Sequence, residues 1–242
     1  MTKKIGVWLH TEEIVQEKLA NACAVVFDVL LATTTLITIV ENGAKRVRPV
    51  ATIEEAWSIR QAWGEQTLLG GEQQAKRVPG FDCGPYPSEY PIEKVQERDV
   101  VFLSTNGTRA IAAASPAREV LLGGVRNAPT LASYLVKCPY EQLYLIAAGS
   151  RGHLCVEDFL GVAITLAYME DLDDTWQLND GAQVAAAFGR QHQKEVAEWI
   201  RAGRVGRWFA EYDPETLAFA SDVGASSTLA RLCEGMLEAL QR

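Results

Sequence analysis

The segment Val25-Val26-Phe27-Asp28, an apolar run that ends in a carboxylate and passes at once into Val29-Leu30-Leu31-Ala32-Thr33-Thr34-Thr35, constrains the fold most. A continuous run of β-branched and aromatic residues reads as a strand buried on both faces, as in a parallel sheet. In open α/β sheets ligands gather beyond the carboxyl ends of such strands, and Asp28 stands at that edge. From Thr33 to Asn42, Leu36, Ile37, Ile39 and Val40 follow helical spacing, and Gly43 supplies a stop. Asp28 and the threonines are therefore expected where strand gives way to helix, a place whose free backbone N–H groups favour an anion. The same pattern also suits Asp28 as a plain helix cap and the threonines as packing residues.

The motif is one of a series. Further strands are expected at Ile5 to Leu9, Arg46 to Val50, Thr67 to Leu69, Val100 to Ser104, Glu119 to Leu122 and Leu143 to Ala147. Helical patterns lie between them: one after the cap Thr52, then Thr108 to Ala114, Ala128 to Val136 and Val156 to Tyr168. Strand and helix in alternation define an α/β class. Beyond Asn179 the chain reads as mainly helical, with Ala182 to Phe188 and His192 to Ala202 separated by a breaker at Gly189 and a last strand at Thr216 to Asp222. Val78 to Pro91 carries four of the nine prolines and is expected as an ordered loop packed over the site.

Composition narrows the function classes. With 31 acidic against 23 basic residues the net charge is −8, which disfavours nucleic acid and anionic membrane surfaces as partners. An anionic substrate then needs local help from residues such as Arg109, Arg151, Lys76 or Arg77, from helix N-termini or from a divalent cation. The five cysteines, Cys23, Cys83, Cys138, Cys155 and Cys233, form no C-x-x-C pair, so structural zinc and a disulfide framework are not expected. No signal-peptide pattern or membrane-spanning run is read, and a reducing cytoplasm is the expected location. The apolar helices after Val156 leave room for a homodimer.

Five polar constellations follow strand ends or turns: Asp28 with Thr33 to Thr35; Gly70-Gly71-Glu72; Asp82 and Glu89 in the proline-rich loop; Ser104-Thr105-Asn106-Gly107-Thr108-Arg109; and Gly149-Ser150-Arg151-Gly152 followed by Glu157-Asp158. The two glycines before Glu72 are expected to let backbone approach a ligand. Glu157 and Asp158 also suit the first turn of a helix as complements to its dipole. Oxygen-rich groups without Cys/His clustering match a hard cation such as Mg2+, and the implied chemistry is metal-assisted phosphoryl transfer.

Taken in order, these segments resemble the 2-phosphosulfolactate phosphatase family, the ComB-type enzymes of coenzyme M biosynthesis. The resemblance rests on Asp28 to Thr34, Gly70 to Glu72, Gly80 to Tyr90, Ser104 to Ala110, Ala148 to Asp158 and Asp180 to Ala182. It implies a fold of two similar α/β/α subdomains with mainly parallel or mixed sheets, with halves at 1–125 and 126–242. It also implies magnesium-dependent hydrolysis of 2-phospho-3-sulfolactate to 3-sulfolactate and phosphate. On that reading Asp28, Asn106 and Thr108 are catalytic, and Thr33, Thr34, Gly107, Arg109, Gly149 and Arg151 bind substrate. Metal ligands are drawn from Asp28, Glu72, Asp82 and Glu157, and either water or the Asp28 carboxylate attacks phosphorus. The chain departs from the family pattern with Leu31 in place of an arginine, Cys155 in place of serine and Pro85-Tyr86 in place of asparagine-serine. Those departures keep two alternatives open: a catalytically weak metabolite-binding member, and a phosphatase for another small phosphorylated hydroxy acid.

Overall fold

The computed structural model describes residues 3–173 and 175–240. The first stretch runs β1 (Lys4–Trp8), β2 (Cys23–Phe27), α1 (Ala32–Glu41), β3 (Arg46–Val50), α2 (Ile53–Trp63), β4 (Leu68–Gln73), β5 (Lys76–Arg77), α3 (Ile92–Val95), β6 (Asp99–Leu103), α4 (Gly107–Ala114) and β7 (Glu119–Gly123). It continues with α5 (Ala128–Lys137), β8 (Gln142–Ala147), α6 (Val156–Glu170), β9 (Gln177–Leu178), α7 (Asp180–His192), α8 (Val196–Ala202), α9 (Arg204–Tyr212), α10 (Pro214–Ala220), β10 (Ala230–Cys233) and β11 (Met236–Ala239).

All these strands join one mixed sheet in the order β5-β4-β6-β3-β11-β10-β7-β2-β8-β1-β9. Two parallel blocks, β4-β6-β3 and β7-β2-β8-β1-β9, are stitched together by the antiparallel hairpin β10–β11, which pairs with β3 on one side and β7 on the other. The sheet is continuous through residue 125, because β2 pairs with both β7 and β8.

Helices cover both faces, giving an α/β/α architecture. The period-two alternation of a strand decides which layer each side chain joins. In β2, Ala24 and Val26 pack with α1 and α4, whereas Cys23, Val25 and Phe27 pack with α5, α6 and α7. In β6, Val100 and Phe102 face the first layer, and Val101 and Leu103 face α2. A helical cap built from α8, α9 and α10 packs on α6 and on Val29, Leu30 and Leu31, the residues just past β2.

Of the ten residues of α1, nine are buried. A hydroxyl placed there costs free energy unless it is hydrogen-bonded. Each is: Thr33 donates to Asp28 and Gly123 carbonyls, Thr34 to Val29, Thr35 to Pro85 and Thr38 to Thr34. The Thr35 bond also ties the proline-rich loop to α1, and that loop is ordered as expected.

Three sequence expectations change. Thr216 to Asp222 is not a strand: Asp213 accepts a hydrogen bond from the Thr216 backbone, Pro214 takes the first helical position and α10 follows. Gly189 does not break its helix, and α7 runs through it to His192. A Cβ at Gly189 would overlap the Ala163 carbonyl, so this glycine permits close packing of α7 on α6. The hairpin β10–β11 falls in a stretch for which no strand is expected from the sequence.

Candidate active site

The carboxyl ends of strands from both blocks converge on a cavity of about 420 Å³. Asp28 enters it from β2, Glu72 and Gln74 from β4 and its exit, Ser104 to Asn106 from beyond β6, and Ser150 and Arg151 from beyond β8. Leu30, Leu31, Tyr86, Trp208 and Phe209 supply an apolar wall. A cleft past the strand ends of an α/β sheet is where ligands bind in this architecture.

Asp28 is 7% exposed and sits between the first turns of α1 and α4. Its Oδ1 accepts from the Ala32 N–H at 3.4 Å, and a Cβ at Gly107 would lie 2.6 Å from its Oδ2, so the start of α4 presses against the carboxylate. Burial pushes its pKa up to about 6 from the usual 3.8, with Glu72's negative charge adding to the rise and the N–H groups of Ala32, Leu31 and Gly107 opposing it. Asp158, also buried, holds the adjoining backbone by accepting from Val29 at 2.8 Å and Gly149 at 3.0 Å. Burial and then the charge of Asp28 raise its pKa well above the ordinary range.

Glu72 is oriented from within its own block, β4-β6-β3. Its carboxylate accepts from the Thr105 N–H at 2.6 Å, the Thr105 hydroxyl at 2.9 Å and the Ala75 N–H at 2.6 Å, which locks the end of β4 to the end of β6. The preceding glycines serve packing rather than a ligand: a Cβ at Gly70 would overlap the Tyr90 hydroxyl, and one at Gly71 the Leu103 carbonyl. Asn106 lines the cavity and does not use its side chain to cap α4.

Of the residues singled out from sequence, Asp28, Glu72, Asn106 and Arg151 meet at this cavity. Thr33 and Thr34 spend their hydroxyls on the buried backbone carbonyls of Asp28, Gly123 and Val29. Thr108 exchanges hydrogen bonds with Ser104 at 2.9–3.2 Å, and Gly107 lies beneath Asp28. Arg109 is exposed one turn along α4 and does not line the cavity. Asp82 accepts from Arg60 and from the Leu69 N–H, both at 2.9 Å, and does not line the cavity. Glu157 is buried, accepting from the N–H groups of Val205 and Gly206 and from the Cys155 thiol.

Sequence reasoning missed Arg204, Trp208 and Phe209 on α9. The signal was the Gly203-Arg204-Val205-Gly206 turn, but nothing in its spacing says that it returns to strand ends formed much earlier in the chain.

Among the described residues no group of three or more His, Cys, Asp or Glu side chains is placed to hold a metal. The four expected carboxylates are thus divided, two at the cavity and two bound elsewhere. A pair such as Asp28 and Glu72, with hydroxyl and amide oxygens beside it, still fits Mg2+, which binds through one or two carboxylates and leaves the rest of its shell to water and phosphate.

Comparison with known proteins completes this picture. The 2-phosphosulpholactate phosphatase family model matches residues 8–235. A probable 2-phosphosulfolactate phosphatase of Symbiobacterium thermophilum is 34% identical over 227 residues, 93% of this chain and 97% of the relative. Another so described, from Clostridium acetobutylicum, is 34% identical over 182 residues, 75% of this chain and 77% of the relative. Fold, cleft and relatives together define an α/β phosphatase, a phosphoric monoester hydrolase. The chain belongs to the 2-phosphosulpholactate phosphatase family.

Proposed function

We propose that the protein hydrolyses 2-phospho-3-sulfolactate to 3-sulfolactate and phosphate in a magnesium-dependent reaction at the Asp28 cavity. The reading is supported by the names of its relatives and carried by one observation: Asp28, Glu72 and Asn106, from three different strand ends, face the same cleft. Magnesium held by Asp28 and Glu72 would supply Lewis-acid withdrawal of charge from the phosphoryl group.

The chain's own groups do the rest. Asn106 and the Thr105 segment orient phosphoryl oxygens, and the N-termini of α1 and α4 add positive potential around them. Buried Asp28 excludes bulk water from one side of the reacting group, and Glu72 is fixed so that it does not need to reorganise. A water oxygen bonds to phosphorus as the P–O ester bond breaks, and the sulfolactate alkoxide leaves with the water's proton. The alternative attack by Asp28 itself would leave an aspartyl-phosphate, detectable as an adduct on the Asp28 peptide after trapping with a phosphate mimic. We further propose that this reaction serves coenzyme M biosynthesis. We place the protein in a reducing cytoplasm, consistent with five free thiols, four of them buried.

A second reading is favoured by Leu31, which puts an apolar side chain on the cavity wall. On that reading the substrate is another small phosphorylated hydroxy acid, or the protein binds without efficient turnover. Phosphate release over a panel of small phospho-acids, with magnesium and with chelator, separates them. The leading reading expects 2-phospho-3-sulfolactate to give the highest kcat/KM and chelator to abolish it; preference for a different phospho-acid selects the second reading.

A further inference from the structure

Among the described residues, Arg204 is a cation without an acidic partner. It lines the cavity, donates to the Ser150 hydroxyl at 2.7 Å and forms no ion pair with any described residue. In a chain of net charge −8, an arginine left unpaired at a cleft that already holds two carboxylates is placed to meet an anionic ligand. Arg151 also lines the cleft but, on a backbone with φ of +56°, has no hydrogen-bonded partner for its side chain among the described residues. Arg204 is the better positioned of the two.

The element behind it explains why. Arg204 is the first residue of α9, and the next two N–H groups, of Val205 and Gly206, both donate to Glu157 Oε1, at 3.0 and 2.7 Å. Glu157 is 1% exposed and its other oxygen accepts from the Cys155 thiol at 2.8 Å. Gly203 carries no Cβ where one would overlap that carboxylate, so the turn into α9 can close over it. A buried carboxylate thus anchors the helix N-terminus at its amides, and the side chain of Arg204 is left to face the cavity.

We propose that Arg204 is the clamp for a second acidic group of the substrate, a carboxylate or sulfonate apart from the phosphate, and that Glu157 is the residue that positions it. The inference rests on the phosphatase reading for where the phosphate sits: Asp28, Glu72 and Asn106 come from β2, β4 and the exit of β6, whereas Arg204 and Ser150 come from α9 and the exit of β8. Specificity for an ester bearing a further strong anion over neutral esters then comes from one guanidinium. Loss of a charge-assisted contact of this kind costs roughly tenfold or more in affinity.

The test compares 2-phospho-3-sulfolactate with isopropyl phosphate, which has no second acid, for wild type, Arg204→Gln, Arg204→Lys, Glu157→Ala and Glu157→Gln. Arg204→Gln is expected to raise KM at least tenfold for the sulfolactate ester alone, with kcat changed little and Arg204→Lys recovering part of the loss. Glu157→Ala gives the same selective rise in KM, and Glu157→Gln, whose amide oxygen still accepts from both N–H groups, restores most of it. An equal rise for both esters would place Arg204 on the phosphate, and no rise would remove it from the site; either overturns the proposal. Calorimetric binding of 3-sulfolactate keeps the question separate from turnover. If no ester is hydrolysed, the phosphatase reading fails, but a tenfold weaker affinity of Arg204→Gln for 3-sulfolactate still supports the clamp, and unchanged affinity refutes it. Should Glu157→Ala fail to fold, the exposed Arg204 variants decide the matter.

Discussion

Asp28 is costly to keep ionised. A rise in its pKa from 3.8 to about 6 means that the folded state binds its proton more tightly than the unfolded chain does. The stability this contributes is fully present below pH 3.8 and is lost as pH climbs through about 6. Asp28→Asn keeps the acceptor for the Ala32 N–H and removes the buried charge. In chelator, it should match wild type near pH 4 and exceed it in denaturant midpoint near pH 8; with magnesium present, it should lose about 100-fold or more of the phosphatase rate. Parallel pH dependence of the two proteins would show that the Asp28 charge is not strained by its site. How much of this was legible differs residue by residue. Asp28, Glu72, Asn106 and Arg151 follow strand ends, so their convergence could be read from the alternation of strand and helix. That Glu157 serves α9 and Asp82 serves Arg60 could not, since hydrogen-bond partners far away in sequence leave no periodic trace.

At the scale of elements, local pattern was a good guide wherever apolar residues run together, as in β2, β6 and β8, and a poor one where small residues act through shape. Gly189 reads as a breaker because glycine costs roughly 1 kcal/mol in a helix interior. Its role is the reverse: α7 lies so close to α6 that a Cβ would meet the Ala163 carbonyl. Gly189→Ala therefore gains helix propensity but forces two packed helices apart, and overpacking of about 1–3 kcal/mol is the larger effect. A net loss of about 1–2 kcal/mol in urea unfolding is expected, and a gain in stability would contradict the packing account. The misread strand at Thr216 to Asp222 has a related lesson. Asp213-Pro214 just before it is a sound helix start. The hairpin β10–β11 was missed because each of its short strands buries only one residue fully and so alternates only weakly.

Across the whole molecule, the cleft is formed by joining two parallel blocks. β4 and β6 bring Glu72 and Asn106, β2 and β8 bring Asp28 and Ser150, and the β10–β11 hairpin holds the blocks in one sheet so that their carboxyl ends share a cleft. α9, anchored by Glu157, closes that cleft with Arg204 and its aromatic side chains. The alternation of strands and helices made the α/β class readable, but the strand order was not, because a C-terminal hairpin inserted between two blocks leaves no mark on the segments it joins. The central claim is that catalysis takes place where these ends meet, at Asp28 and with magnesium. Its most direct test is steady-state phosphate release from 2-phospho-3-sulfolactate by wild type and Asp28→Asn across a magnesium titration. The account expects wild-type turnover that saturates with magnesium and vanishes in chelator, with Asp28→Asn near background at every concentration; wild-type rates in Asp28→Asn, or full activity in chelator, would contradict it.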